Sequence, residues 1–166
     1  MTHKQLVDAA YQWVLKRTSC GMAFKDFYTN CCNGERPDVI GFQSWGTSVL
    51  VECKASRSDF LSDRKKSFRA NPQLGMGTYR FYCCPTGLLT QADLPEKWGL
   101  IYVNEKGRYR TVFNPYNANR GDYSNIWSNG FEQNLRAEHG VMYSALRRIH
   151  LRNKLDCIYE PEIKLK

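Results

Sequence analysis

The sequence predicts an α/β protein, with a central mixed sheet and helices on both faces, folded as a single domain over its 166 residues. Three observations carry this. Two short β-rich runs, Val39-Ile40-Gly41-Phe42 and Val49-Leu50-Val51, are apolar at consecutive positions instead of alternating, so the strands are covered on both faces. Amphipathic helical periodicity opens the chain over residues 3–17 and returns after residue 129. Between them, strand-like and helix-like segments follow one another, with no internal repeat or separate linker. The length is enough for a substantial core.

In chain order, Thr2 and Gln5 form a capping-box pattern ahead of a helix over residues 3–17. Leu6, Ala10, Trp13 and Val14 share its apolar face. Its one acid, Asp8, lies about 200° around from Leu6 and faces solvent. Residues 22–28 read as a strand and residues 30–34 as a turn.

The hairpin comes next. Ser44-Trp45-Gly46 is a three-residue loop with glycine at the third place, where the left-handed backbone region is needed. With Gln43 and Thr47 flanking it, counting outward pairs Phe42 with Ser48, Ile40 with Leu50 and Asp38 with Glu52. A second helix begins near Arg57, capped by Ser56 and Asp59, buries Phe60, Leu61 and Phe68, and ends at Asn71-Pro72.

Residues 73–78 read as a plain connection. Tyr79 to Cys84 is a strand stopped by Pro85-Thr86-Gly87, and residues 100–104 and 108–113 form a second hairpin around Glu105-Lys106-Gly107. Residues 114–130 are rich in Asn, Ser and Gly, with Tyr116, Arg120, Tyr123 and Trp127 interspersed. Those aromatics either stack bases or pin the loop to the core, and the second is favoured. A last helix runs from an Asn129/Glu132 cap to about Arg152, with Phe131, Leu135, Met142, Leu146 and Ile149 on one side. The domain therefore has a core of about residues 3–113 and a C-terminal helical extension of about 129–153.

The inferred register has a chemical consequence. Directly opposed residues have Cβ atoms about 4.5–5.5 Å apart, and like charges there repel. Asp38 and Glu52 need positive charge between them. Lys54, two residues past Glu52, projects from the same face. Mg²⁺ is typically bound by one or two carboxylates with several waters retained. Two readings of Asp38, Glu52 and Lys54 are open at this point, a metal site and a plain surface salt bridge. A second Glu-x-Lys, at Glu162–Lys164, has no such hairpin before it and reads as a solvated tail.

The formal charge of +8 favours a polyanionic partner. Arg57, Arg64, Lys65, Lys66 and Arg69 make the second helix strongly basic. They read either as phosphate contacts or as a solvated face. The seven cysteines include adjacent pairs at Cys31-Cys32 and Cys83-Cys84, without Cys-x-x-Cys spacing. With no signal peptide and no long apolar run, the expectation is reduced thiols in a cytoplasmic, reducing setting and no membrane association. Cys53, Cys83 and Cys84 then fill the core as small apolar residues.

Pro37-Asp38, thirteen intervening residues and Glu52-Cys53-Lys54 resemble the PD-(D/E)XK nuclease superfamily. The run Glu52 to Lys65, E-C-K-A-S-R-S-D-F-L-S-D-R-K, is similar to its MmcB-like branch associated with DNA repair. The likeness covers about residues 36–103. It implies a restriction-endonuclease-like three-layer fold with an αβββαβ core, and a Mg²⁺- or Mn²⁺-dependent deoxyribonuclease.

On that resemblance Asp38, Glu52 and the Cys53 backbone carbonyl hold the ion. Lys54 positions or deprotonates water, or stabilises the transition state. Arg57, Arg64, Lys65, Lys66 and Arg69 hold the DNA backbone. The glutamate that such nucleases often carry on the first helix is absent here. The runner-up is a catalytically inactive nucleic-acid-binding protein on the same scaffold. A homodimer is compatible with either.

Overall fold

A computed structural model describes residues 1–29, 31–116 and 127–160. Arg120, Tyr123, Asn30 of the 30–34 turn and the Glu162–Lys164 motif lie outside the described residues. The elements are α1 (His3–Arg17), β1 (Met22–Lys25), β2 (Val39–Phe42), β3 (Ser48–Cys53), α2 (Arg57–Asp63), α3 (Ser67–Ala70), β4 (Tyr79–Pro85), β5 (Trp98–Val103), β6 (Tyr109–Phe113) and α4 (Leu135–Leu151). Up to β4 they run helix, three strands, two short helices, strand, the expected order with the second helix divided.

The six strands lie in sequence order in one mixed sheet. β1, β2 and β3 are antiparallel neighbours, β3, β4 and β5 are parallel, and β6 returns antiparallel. Because consecutive β2, β3 and β4 positions are buried on both sides, the sheet separates two cores. On one face Leu6, Val7, Ala10, Trp13 and Val14 of α1 pack on Val39, Val49, Val51, Phe81 and Ile101. On the other, Phe60 of α2 and Ala137 and Val141 of α4 pack on Ile40, Leu50, Tyr82 and Leu100. The protein is thus a three-layer α/β fold. No helix among the described residues is long and apolar enough to cross a membrane.

Both hairpins follow their glycines. Gln43 and Thr47 close the first loop, with Gly46 at φ 78°. Asn104 and Arg108 close the second, with Gly107 at φ 73°. Phe42 pairs with Ser48 and Ile40 with Leu50. Thr2 and Gln5 make the expected capping box on α1. Asp8 is exposed and paired with Lys25. Tyr116 is buried, and its ring and that of Trp127 pack against Tyr79 and Phe81, so these two aromatics join the core. Cys53, Cys83 and Cys84 are buried free thiols.

Three expectations are corrected. The first strand ends at Lys25 instead of continuing to residue 28, because Asp26 turns into the left-handed region at φ 47°. The second helix is two helices. Lys66 is extended, at φ −68° and ψ 142°, and the break lets Asp63 and Arg69 turn inward while leaving Leu61 half exposed. The last helix begins after Asn134, whose side chain accepts from the Ala137 amide. Its buried face is Ala137, Glu138 and Val141, with Leu135 and Leu146 exposed. Buried Glu138 sets that rotation by accepting from Ser48 Oγ at 2.6 Å and the Gly77 amide at 2.8 Å.

Candidate active site

The site forms where β1, β2 and β3 end beneath the first turn of α1. The β2–β3 ladder closes at Val39 and Val51, one step short of Asp38 and Glu52. There Asp38 stops pairing through its backbone alone, and its carboxylate accepts from the Cys53 amide at 2.7 Å. On its other side the Asp38 carbonyl accepts from the Asp26 amide at 2.9 Å. Lys25 pairs with Val39, so one further step sets Asp26 opposite Asp38. Three acids, Asp26, Asp38 and Glu52, therefore lie in one row across three strands. His3 meets the row from α1, with Nε2 at 3.3 Å from Asp38 Oδ1.

Behind the row, the charges are enclosed. Glu52 and Lys54 are buried, and Lys54 Nζ bonds Glu52 Oε2 at 3.0 Å and approaches Asp63 Oδ1 at 3.3 Å. Arg69 reaches Glu52 Oε1 at 2.9 Å, Asp63 Oδ2 at 2.9 Å, and Glu35. Its guanidinium also lies over the Trp98 and Phe68 rings. Tyr82, beside Glu52 on β4, donates to Asp63 Oδ2 at 3.0 Å. Lys66 meets Asp63 Oδ1 from the surface at 2.7 Å. Glu35 also accepts from the Met76 amide at 2.6 Å, which locks the 72–78 connection to this cluster. Glu35, Glu52 and Asp63 thus face Lys54, Arg69 and Lys66, three charges against three. Pairing is what lets buried charges survive, and here it is ionic in part, since Asp63 Oδ1 and Arg69 Nη2 make no hydrogen bond.

The electrostatics divide along the same line. Asp38 is pushed up to about 6 by burial and by the Glu52 charge, against the Cys53 hydrogen bond and His3. Burial works to lower Lys54, but Glu52 and Asp63 outweigh it and hold the ammonium above its ordinary range. Burial likewise works to raise Asp63, yet Arg69 and Lys54 hold it well below the usual carboxylate range. Burial raises Glu35.

The structure brings Asp38, Glu52, Cys53 and Lys54 together, as the spacing indicated. Of the five basic residues, Arg57, Arg64, Lys65 and Lys66 are exposed along α2 and the turn after it. Arg57 is tied to Asp93 at 2.7 Å. Arg69 is the correction. Its side chain is only 3% accessible and ion-paired with three carboxylates, with Nη2 near Glu52 but outside hydrogen-bond geometry, so it holds the site from within and is closed off from a phosphate. Sequence reasoning missed Glu35, Asp63, Asp26 and His3. Asp26 alone had a signal in the strand pattern, since extending the register places it opposite Asp38.

No protein-family model and no curated protein matches the chain. Among solved structures, the chain is similar to the SPO1766 protein of unknown function from Silicibacter pomeroyi. The two share 19% identity over 99% of each chain, with a TM-score of 0.58. That likeness supports the fold and carries no function with it.

Proposed function

We propose that this chain is a metal-dependent nuclease hydrolysing phosphodiester bonds of DNA, on a restriction-endonuclease-like scaffold. The observation that carries the reading is the convergence of Asp38, Glu52 and Lys54 at one strand end, with Glu52 near enough to raise Asp38. Two carboxylates held against their mutual repulsion favour a cation between or beside them. Asp38 is half-buried, with Oδ2 on the Cys53 amide and Oδ1 toward the exposed His3. The donor set therefore fits a divalent ion at Asp38. Glu52, with each oxygen already bonded to a cation, supports it through charge from behind.

A bound Mg²⁺ or Mn²⁺ supplies polarisation of the scissile phosphate and a more acidic water. Lys54 is held charged by Glu52 and Asp63. It is suited to donating hydrogen bonds to negative charge that grows on the phosphate, and not to accepting a proton. Arg57, Arg64, Lys65 and Lys66 give the neighbouring surface the cations a DNA backbone requires. Incubation with labelled duplex, flap, junction and single-stranded DNA in Mg²⁺ or Mn²⁺ tests the reading. Metal-dependent cleavage lost on Asp38→Asn supports it.

The burial of Glu52 and Lys54, each at 3% accessibility, favours a second reading, a nucleic-acid-binding protein without turnover. Binding of the same substrates with no cleavage in either metal would select it.

A further inference from the structure

We propose that His3, Asp26 and Asp38 form the metal-ligating set of this protein, one suited to a first-row transition ion such as Mn²⁺ in preference to Mg²⁺. The proposal shares Asp38 with the nuclease reading and rests on it only for the use of the ion.

Asp26 and Asp38 occupy facing positions on the ends of β1 and β2, and Asp38 and Glu52 on the ends of β2 and β3. Glu52 has its cations, Lys54 and Arg69. Asp26 has no such direct partner: among the described residues its carboxylate accepts no hydrogen bond and forms no ion pair, and it acts on Lys25 only through its charge. Lys25, next to it in sequence, turns to Asp8 and to the Tyr11 ring instead. Two facing acids repel, and the group that meets them is the His3 imidazole.

One ligand atom from each of His3, Asp26 and Asp38 lies within 4.8 Å of the other two. Donors around one ion at about 2.0–2.2 Å are spaced about 3–4 Å apart, so a small closure completes the set. His3 and Asp26 are exposed and Asp38 half-buried, which leaves the closure unobstructed by packing. A second feature points the same way. A cleft of about 250 Å³ borders both carboxylates and is lined also by Phe27, Tyr28, Arg36 and Pro37. Arg36 stacks on the exposed Tyr28 ring at 4.0 Å. A cation and an aromatic face beside the two acids suit a nucleotide whose phosphate completes the coordination sphere.

The donor set decides the ion. Three protein ligands with positions left open describe a catalytic site more than a structural one. An imidazole nitrogen among carboxylates shifts preference from Mg²⁺, which demands oxygen, toward transition ions.

Mn²⁺ binding to the metal-free full-length chain, followed by loss of the free aquo-ion EPR signal, tests this without DNA. One Mn²⁺ is expected per chain. His3→Ala and Asp26→Asn should each weaken it at least about tenfold, and His3→Ala should narrow the margin over competing Mg²⁺. Asparagine is chosen at position 26 because it tolerates the left-handed backbone, and circular dichroism checks the fold. Glu52→Gln should cost less than either. The proposal is overturned if the parent binds no Mn²⁺ at millimolar concentration, or if both rim variants bind as the parent does. Mn²⁺ binding lost in the rim variants without any DNA cleavage by the parent would remove the nuclease reading and leave this site standing.

Discussion

The closed and open halves of the site use the same residue types under opposite conditions. Behind the strand ends, Glu35, Glu52 and Asp63 are matched by buried Lys54 and Arg69 and, from the surface, by Lys66. At the rim, Asp26 and Asp38 face each other with His3 beside them and Arg36 on the bordering cleft. In the closed half burial makes pairing compulsory, and the protein supplies every counter-charge. In the open half, among the described residues, no Lys or Arg forms an ion pair with either carboxylate. The difference teaches that the buried network is scaffold, which fixes Glu52 and Lys54 in place, while the rim is where a ligand is wanted.

The largest effect expected from breaking this contrast is at Arg69. Removing one partner of a buried charge cluster typically costs about 3–5 kcal/mol. Arg69→Ala leaves Glu35, Glu52 and Asp63 under-neutralised and should lower stability by that amount in urea unfolding. Arg69→Lys should rescue little, because the contacts are a planar fork stacked on Trp98.

Asp38 should show the opposite sign. Its carboxyl sits at about 6 when folded, against an unshifted 3.8. The folded state holds the extra proton, so the group favours folding below the unfolded value and loses that contribution as pH rises through 6. His3, Asp26, Glu52, Lys54 and the Cys53 amide are the groups that face it. Asp38→Asn keeps an acceptor for Cys53 and removes the repulsion. In metal-free buffer at pH 7–8 it should gain about 1–3 kcal/mol, and the gain should vanish near pH 4. Thermal melts across pH measure both ends.

How much of this was legible depended on whether a feature was local. The Ser44-Trp45-Gly46 loop set the hairpin register by counting, and that register led to Asp38, Glu52 and Lys54. The closed network was not legible, because Glu35, Asp63 and Arg69 meet only after α3 docks on the sheet. Arg69 sits in a run of surface cations that gives no sign of its burial. The break at residues 64–66 has no proline or glycine to announce it. It follows from the inward turn of Asp63 and Arg69. The rotation of α4 was misread for a similar reason. A buried glutamate, Glu138, outweighs the apolar stripe through two hydrogen bonds.

The smallest stability effect is expected outside both halves. Arg64 and Lys65 are exposed, and neutralising both should change stability by no more than about 0.5 kcal/mol. If they contact phosphate, the slope of log affinity against log salt should flatten by up to about two. An unchanged slope would return them to the solvated surface.

The central claim is that this strand end does metal-dependent chemistry on DNA. Single-turnover cleavage of labelled DNA at saturating protein, with Mn²⁺ and with chelator, tests it most directly when paired with a binding titration for the parent, Asp38→Asn and Lys54→Met. The account predicts cleavage by the parent only with metal, loss of cleavage in Asp38→Asn, and a Lys54→Met variant that binds nearly as tightly yet cleaves far more slowly. DNA binding by the parent with no cleavage in any metal, or full cleavage by either variant, would contradict it.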